Sequence, residues 1–262
     1  MRIALISLNQ HWQNRSANFE RCEDLIGKAA GKGCELAIFP EMTLTGYSLD
    51  VSIVAESVDT SESLSWFGQL SRKFGVHLIF GACLLNRATR QPQNVLCHAD
   101  PSRDATPIYA KIHPFSFAGE DRILGAGDAL GFVELPGIRL GATICYDLRF
   151  PELYAAMASR CEGAICIANW PARRKAHWHT LLVARAIENQ MFLFGVNRIG
   201  TDGNGLEYEK SSMVVTPSGE VMKPIFESLE LDLYEINPDE TLRYRNEFPT
   251  LRDKRHLVYE KL

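Results

Sequence analysis

The feature that most restricts the fold of this chain is the way its apolar segments are connected. Some strand-like runs, such as 36–40 and 163–168, follow stretches with helical periodicity that are long enough to cross over a sheet. Others, such as 94–100 and 106–115, are joined by a short turn at PSRD. Long crossovers favour parallel neighbours and short turns favour antiparallel ones. The pattern predicts an α/β chain with a mixed sheet, or two sheets, and helices packed outside.

Composition is compatible with a sizeable core. The chain has 262 residues, of which 46% are hydrophobic and 23% are charged, as in ordinary globular proteins. No linker, repeat or low-complexity tract interrupts the alternation of elements, so we predict one domain over residues 1–262.

Charge and cysteine content narrow the classes of partner and compartment. The net charge is −4 and no basic block occurs, which argues against nucleic acid or an anionic membrane as the main partner. The sequence contains no run of eighteen apolar residues, so it predicts no membrane span. The seven cysteines have no regular spacing, so we predict a reduced, cytoplasmic protein without a disulfide framework.

The segment GATICYDLRFPELY, residues 141–154, places a cysteine at the end of an apolar strand. Strand ends are where ligands bind in α/β sheets. A helix beginning just after Cys145 would point backbone N–H groups at its sulfur, and we expect that setting to lower the thiol pKa and create a nucleophile. The alternative is a small buried apolar residue, as free cysteines often are.

Two charged side chains follow other predicted strands. Glu41 comes after the run LAIFP, and Lys111 lies near the end of TPIYA. Taken alone, a glutamate or lysine after an apolar strand is usually just the start of a solvated loop. Because neighbouring strand ends converge, three such positions predict one shared site with Cys145. The sequence alone places no histidine beside the cysteine.

Three segments together resemble the signature motifs of the nitrilase superfamily of carbon–nitrogen hydrolases. They are FPEMTLTGY, YAKIHPF and CYDLRFPELY, in that order, with GD at 127–128 between the second and third. ANWP at 168–171 and ARAIENQ at 184–190 are similar to the omega-amidase branch, which hydrolyses 2-oxoglutaramate. The resemblance covers almost the whole chain and implies a four-layer α-β-β-α sandwich.

The resemblance also implies roles for individual residues. Cys145 would attack an amide carbon, and Glu41 would move the proton. Lys111 and the backbone N–H of Tyr146 would hold the oxyanion. Glu120 matches a second glutamate found in many members of the superfamily. We expect no cofactor and no metal, since the histidines of HWH at 177–179 lie two apart and do not share a helix face.

Recognition of the substrate is predicted to depend on the segment NWPARR. Arg174, with its neighbour Arg173, would pair with the far carboxylate of an omega-amide. Tyr47, Phe115 and Trp170 would form walls of the pocket. The alternatives are a solvent-facing basic run and core aromatics. The segment YEKSSMVV stands where many relatives have a Gly-His-Ser. The resemblance therefore does not predict the pocket wall near 208–212.

The resemblance therefore implies a thiol amidohydrolase that cleaves 2-oxoglutaramate to 2-oxoglutarate and ammonia. An amidase for deaminated glutathione or an N-carbamoyl amino acid is the first alternative. A catalytically idle binding or assembly module is a more distant one. We expect a small-molecule amide as the partner of this site, and a homo-oligomer, a dimer or larger.

Overall fold

The computed structural model describes residues 1–255 and 258, so the last part of the predicted domain, 256–257 and 259–262, lies outside the described residues. The strands are β1 Arg2–Ile6, β2 Leu36–Ile38, β3 Ala55–Ser57, β4 His77–Leu85, β5 Pro92–Ala99, β6 Thr106–Ala110, β7 Gly131–Leu135, β8 Ile138–Ile144, β9 Gly163–Ala168, β10 Phe192–Asn197, β11 Gly200–Thr201, β12 Glu207–Tyr208, β13 Met213–Val215, β14 Phe226–Glu227 and β15 Leu231–Glu235. The α-helices are α1 Arg15–Ala30, α2 Val51–Val54, α3 Glu62–Phe74, α4 Pro151–Met157, α5 Lys175–Asn189 and α6 Glu240–Glu247.

The strands form two mixed sheets, as the connection pattern predicts. The larger sheet has the order β14-β15-β1-β2-β4-β5-β6, and β3 pairs beside β4. The smaller sheet has the order β13-β10-β9-β8-β7. Strands β1, β2 and β4 are parallel, as are β8, β9 and β10, and the strands joined by short turns are antiparallel. A separate hairpin pairs β11 with β12.

Burial on both faces of each sheet creates four layers. In β1, Ile3 and Leu5 face the smaller sheet, whereas Ala4 and Ile6 face the helices, because successive side chains of a strand alternate. Helices α1 and α3 cover the outer face of the larger sheet. Helices α4 and α5 cover the smaller sheet with residues that include Tyr154. This arrangement confirms the predicted α-β-β-α sandwich.

The topology gathers four strand ends at one edge. Strand β6 is antiparallel to β5, which is antiparallel to β4, so β6 ends on the same side as β2 and β4. The ends of β8 and β9 face them from the smaller sheet. The segments after β2, β6, β8 and β9 carry Glu41, Lys111, Cys145 and Trp170, which line one cavity of about 650 Å³.

Several short elements lack a clear signal in the sequence. The pattern misses α2, β3, β11, β12, β14 and α6, each of which has at most eight residues. The helix predicted after Pro151 ends at Met157 and continues as a 3-10 turn to Arg160. Among the described residues, no helix has both the length and the apolar character needed to cross a membrane.

Candidate active site

The bottom of the cavity is a buried charge network. The Lys111 ammonium lies 3.1 Å from Glu41 Oε1 and 2.8 Å from Glu120 Oε2. Asn94 completes the network, because its Nδ2 donates to Glu41 Oε1 at 2.7 Å and to Glu120 Oε1 at 3.1 Å. None of the four side chains is more than 1% exposed. We refer to Glu41, Asn94, Lys111 and Glu120 as the floor.

Charges in the floor stabilise one another against the cost of burial. Burial alone would lower the pKa of Lys111, but Glu41 and Glu120 outweigh it and raise that pKa well above its ordinary value. Burial would raise the pKa of Glu120, but Lys111 and hydrogen bonds from Lys111, Phe115 and Asn94 hold it below its ordinary value. The floor therefore keeps a fixed ammonium beside a fixed carboxylate.

Glu120 is held by the loop that carries it. The backbone N–H of Phe115 donates to its Oε2 at 2.6 Å, and the Tyr47 hydroxyl donates to the same oxygen at 3.1 Å. These contacts leave Glu120 behind Lys111 and outside the cavity lining, which includes Glu41, Lys111 and Cys145. The geometry suits Glu120 to orienting Lys111 and not to touching a bound amide.

Glu41 also connects the floor to the smaller sheet. Its Oε2 accepts the backbone N–H of Asn169 at 2.9 Å, and its backbone oxygen accepts Asn169 Nδ2 at 2.7 Å. The Cys145 thiol donates to the carbonyl oxygen of Asn169 at 3.9 Å. Asn169, the residue after β9, thus contacts both the candidate base and the candidate nucleophile.

Cys145 adopts an unusual backbone conformation at the end of β8. Its φ is +47°, in the left-handed region that non-glycine residues rarely occupy. Asp147 holds this turn, since its Oδ2 accepts the Ile144 N–H at 2.9 Å and the Tyr109 hydroxyl at 2.8 Å. Its Oδ1 accepts the backbone N–H of His113 at 3.1 Å. Asp147 therefore ties the cysteine turn to the segment around Lys111.

The predicted lowering of the Cys145 pKa is wrong. Burial and the neighbouring Glu41 raise the pKa of the thiol well above its ordinary value, and the attraction of Lys111 does not compensate. The helix that was expected to help begins only at Pro151, after a 3-10 turn over Cys145–Arg149. The resting group is a thiol, so a base must remove its proton as it attacks.

The predicted aromatic residues all line the cavity. Tyr47, Phe115, Tyr146 and Trp170 are among its lining residues. The rings of Phe115 and Tyr146 lie 4.8 Å apart, and Trp170 Nε1 donates to the Arg174 carbonyl oxygen at 2.8 Å. Trp170 also packs in the hydrophobic core beneath α5. It is therefore both a wall of the cavity and a core residue.

Three arginines form one side of the cavity, and we refer to Arg149, Arg173 and Arg174 as the arginine wall. Arg174 is half-buried, with its guanidinium over Phe115, whereas Arg173 is exposed. Burial, followed by repulsion from Arg173, lowers the pKa of Arg174. Within residues 1–255 and 258, no carboxylate lies within ion-pair distance of any of the three. The wall is therefore suited to an anionic ligand.

The segment near 208–212 lies beside the arginine wall, since β12 contacts the 3-10 turn Ala172–Arg174. Tyr208 lines the cavity, and its hydroxyl donates to Asp202 Oδ2 at 2.8 Å. Lys210 turns away to pair with Asp232 at 2.8 Å. In the described part of the chain, no group of three histidine, cysteine or acidic side chains has the geometry of a metal site.

Sequence analysis missed several residues of this site. Asn94 lies within β5 and Asn169 directly follows β9, and neither position has a local sequence signal that marks it as part of a site. Arg149 is another missed residue, because nothing in CYDLRF distinguishes it from an arginine that only supports the turn. Arg149 lies with its guanidinium 4.7 Å from the centre of the Trp170 ring and faces the cavity.

Comparisons with known proteins agree with this architecture. The family model for carbon-nitrogen hydrolases matches residues 2–246. Omega-amidase YafV of Escherichia coli K12 is 31% identical over 97% of this chain and 96% of its own. The 2-oxoglutaramate amidase of Bacillus subtilis is 30% identical over 98% of both chains.

A solved structure agrees as well. XC1258 of Xanthomonas campestris, described as a carbon-nitrogen hydrolase superfamily protein with an arsenic adduct in its active site, superposes with a TM-score of 0.89. It is 30% identical and covers 97% of both chains. With the motifs, the four-layer fold and the matched family model, this chain belongs to the carbon-nitrogen hydrolase family.

Proposed function

We propose that this protein is an omega-amidase that converts 2-oxoglutaramate to 2-oxoglutarate and ammonia through a thioester on Cys145. The observation that carries the proposal is the arginine wall, which has no acidic partner among the described residues and shares a cavity with Cys145, Glu41 and Lys111. Such a cavity suits an amide at one end and a carboxylate at the other. Relatives named omega-amidase and 2-oxoglutaramate amidase support the same substrate.

The first half of the reaction forms the thioester. Glu41 accepts the thiol proton while Cys145 Sγ attacks the amide carbon, which the raised thiol pKa makes necessary. Lys111 Nζ and the Tyr146 backbone N–H stabilise the oxyanion, and one such donor contributes about 3 kcal/mol. Glu41 then returns the proton to the amide nitrogen as the C–N bond breaks, and ammonia leaves.

The second half regenerates the enzyme. Glu41 takes a proton from water, and the resulting nucleophile attacks the thioester carbon. The same two donors hold the second oxyanion. The C–S bond breaks, the thiolate recovers its proton from Glu41, and the dicarboxylate product dissociates. Glu120 remains behind Lys111 throughout and keeps its ammonium directed at the reacting carbonyl.

Binding of the far end of the substrate is assigned to the arginine wall. Arg174 is the best placed, since it is half-buried and a carboxylate would relieve its repulsion from Arg173. Arg149 lies on Trp170 and approaches the same space. Glutamine has an ammonium group where 2-oxoglutaramate has a ketone. The arginine wall repels that ammonium, so glutamine should bind less well.

The size of the cavity favours one second candidate. About 650 Å³ falls within the range of roughly 300–1,000 Å³ that is typical of sites for drug-sized ligands, and a five-carbon acid needs less. Deaminated glutathione would use more of this space and more than one arginine. No comparable observation favours an N-carbamoyl amino acid. The complete set of Glu41, Lys111 and Cys145 counts against an idle binding module.

An ammonia-release assay tests the substrate. The panel is 2-oxoglutaramate, glutamine and N-carbamoyl-β-alanine, with cleavage of deaminated glutathione followed by mass spectrometry because it releases a dipeptide. We expect the highest kcat/KM for 2-oxoglutaramate and at least a tenfold lower value for glutamine. A higher kcat/KM for deaminated glutathione would transfer the assignment to the second candidate. Equal rates for glutamine and 2-oxoglutaramate would contradict a role for the arginine wall in selection.

A homo-oligomer and a reducing, cytoplasmic compartment complete the proposal. Ile187, Leu242 and Phe248 are large apolar side chains more than half exposed, which supports burial against a second copy. All seven cysteines are free, which supports a reducing compartment. Light scattering of the purified protein tests the first part, and a monomer at micromolar concentration would contradict it.

A further inference from the structure

Asn197 extends a β-ladder with its side chain. Strands β9 and β10 pair in parallel up to Ala168 and Asn197. Beyond that rung, Asn197 Oδ1 accepts the Trp170 N–H at 2.7 Å and Nδ2 donates to the Trp170 carbonyl oxygen at 2.8 Å. The next residue, Pro171, has no N–H with which to continue the ladder. The Asn197 amide therefore holds Trp170 by both of its backbone polar groups.

Trp170 directly follows the residue that links the base to the nucleophile. Asn169 donates its N–H to Glu41 Oε2 at 2.9 Å and accepts the Cys145 thiol through its carbonyl oxygen at 3.9 Å. Fixing the Trp170 backbone fixes the plane of the Asn169–Trp170 peptide, because a peptide unit is rigid and planar. That plane sets where the Asn169 carbonyl meets Cys145.

Asn197 is itself held from the far side by two serines. Its Nδ2 donates to Ser211 Oγ at 3.0 Å, and its backbone N–H donates to Ser212 Oγ at 3.0 Å. Ser212 Oγ also lies 2.7 Å from Oγ of Ser7, the residue that follows β1. Asn197 is only 1% exposed, so water does not replace these bonds. The two serines belong to the segment YEKSSMVV that departs from the pattern of relatives.

From these contacts we propose that Asn197 is a positioning residue for the reaction at Cys145. It acts through the Trp170 backbone and Asn169, which contacts both groups, to hold the Glu41 carboxylate and the Cys145 thiol in the relative positions that proton transfer needs. This inference rests on the proposed roles of Glu41 and Cys145, but not on which amide is the substrate. Ser211 supports Asn197 and makes a smaller contribution.

The test compares Asn197→Ala with Asn189→Ala as a matched control. Asn189 is also 1% exposed, but its Nδ2 donates to the Arg185 carbonyl oxygen within α5, away from the cavity. Displacing reacting groups by about 1 Å can cost on the order of a hundredfold in rate. We expect Asn197→Ala to lower kcat about 10- to 100-fold with KM little changed, and Asn189→Ala to keep kcat within about twofold. Ser211→Ala should lower kcat by a smaller factor.

A second readout needs no substrate. Alkylation of Cys145 by iodoacetamide, followed by mass spectrometry, reports how well the base assists the thiol. We expect Asn197→Ala to slow it about tenfold and Asn189→Ala to leave it unchanged. Unchanged alkylation and kcat in Asn197→Ala would overturn the proposal, as would equal losses in both variants. If Asn197→Ala does not fold, an unchanged alkylation rate in Ser211→Ala overturns it.

This design separates failure of the inference from failure of the proposed function. If the wild-type protein releases no ammonia from 2-oxoglutaramate, the omega-amidase assignment fails, while the alkylation rates still decide the role of Asn197. If the wild type is active and Asn197→Ala is alkylated and turns over at normal rates, the positioning role of Asn197 fails while the omega-amidase assignment stands.

Discussion

The floor and the arginine wall enclose the same cavity but differ in how their charges are satisfied. In the floor, Lys111 lies within 3.2 Å of oxygens from both Glu41 and Glu120, and all three are buried. In the wall, Arg149, Arg173 and Arg174 have no carboxylate within ion-pair distance inside the described residues.

This difference indicates which groups are complete before substrate arrives. A buried network whose donors and acceptors already match is preorganised, so it can stabilise charge in a transition state without first rearranging. Cations that repel one another in a half-buried wall are stabilised only when an anion binds. We therefore expect changes in the floor to affect kcat and stability, and changes in the wall to affect recognition of anionic amides.

The largest effect is expected at Cys145, between the two regions. Cys145→Ala removes the attacking sulfur of a covalent mechanism, so ammonia release should fall below detection. Quenching the wild type during turnover and digesting it should show an acyl adduct on the peptide that contains Cys145. The matched control is Cys166→Ala, which changes a buried cysteine of the neighbouring strand β9. An adduct on Cys166, or turnover in Cys145→Ala, would contradict the proposed nucleophile.

The next effect tests the floor. Lys111→Met keeps much of the side-chain volume but leaves Glu41 and Glu120 without their cation. Breaking a buried ion network by removing one partner costs about 3–5 kcal/mol, so urea unfolding should show a clear loss of stability. We expect kcat to fall at least about a thousandfold as well, since the variant lacks an oxyanion donor.

Lys111→Arg sharpens the test of the floor. It restores the charge with a larger, planar group, and we expect stability to recover in part but kcat to remain low. Recovery of most of kcat in Lys111→Arg would mean that the floor needs only a positive charge and no particular geometry.

The sequence predicted the grouping of Glu41, Lys111 and Cys145 better than it predicted their neighbours, for a physical reason. Glu41, Lys111 and Cys145 each follow an apolar strand, and strand ends of an α/β sheet converge, so a local pattern was enough to group them. Asn94 lies within β5, where no local rule distinguishes a ligand of two carboxylates from an ordinary polar residue. Its role depends on the pairing of β5 with β6, which the sequence does not specify residue by residue.

The pKa of Cys145 was mispredicted because local and long-range effects oppose each other. The prediction used the following helix, which is local in sequence. The raised pKa depends on burial and on Glu41, which lies 104 positions earlier in the sequence. Arg149 was missed similarly, since only the packing of its guanidinium on Trp170 places it in the wall.

A smaller effect is expected for Arg174 in the wall. Losing a charge-assisted pair with the substrate carboxylate costs about 1.5–3 kcal/mol, so Arg174→Ala should lower kcat/KM for 2-oxoglutaramate about 10- to 100-fold. A neutral amide of the same length should lose less than about twofold. The control is Arg243→Ala, an exposed arginine of α6. Equal losses for charged and neutral amides would assign Arg174 to the fold and erase the contrast with the floor.

The smallest effect separates two neighbours within the wall. Arg173 is exposed whereas Arg174 is half-buried, and exposed charges are screened by salt over about 10 Å at 0.1 M and about 3 Å at 1 M. Arg173→Ala should therefore lower kcat/KM for 2-oxoglutaramate only about two- to fourfold at low ionic strength, and the loss should disappear near 1 M salt. The loss in Arg174→Ala should persist under the same conditions, because its contact with the substrate is shielded from ions. Steady-state kinetics of both variants across a salt series measures the difference. If the two losses decline in parallel, the wall acts as a diffuse positive field and not as a site with one carboxylate position.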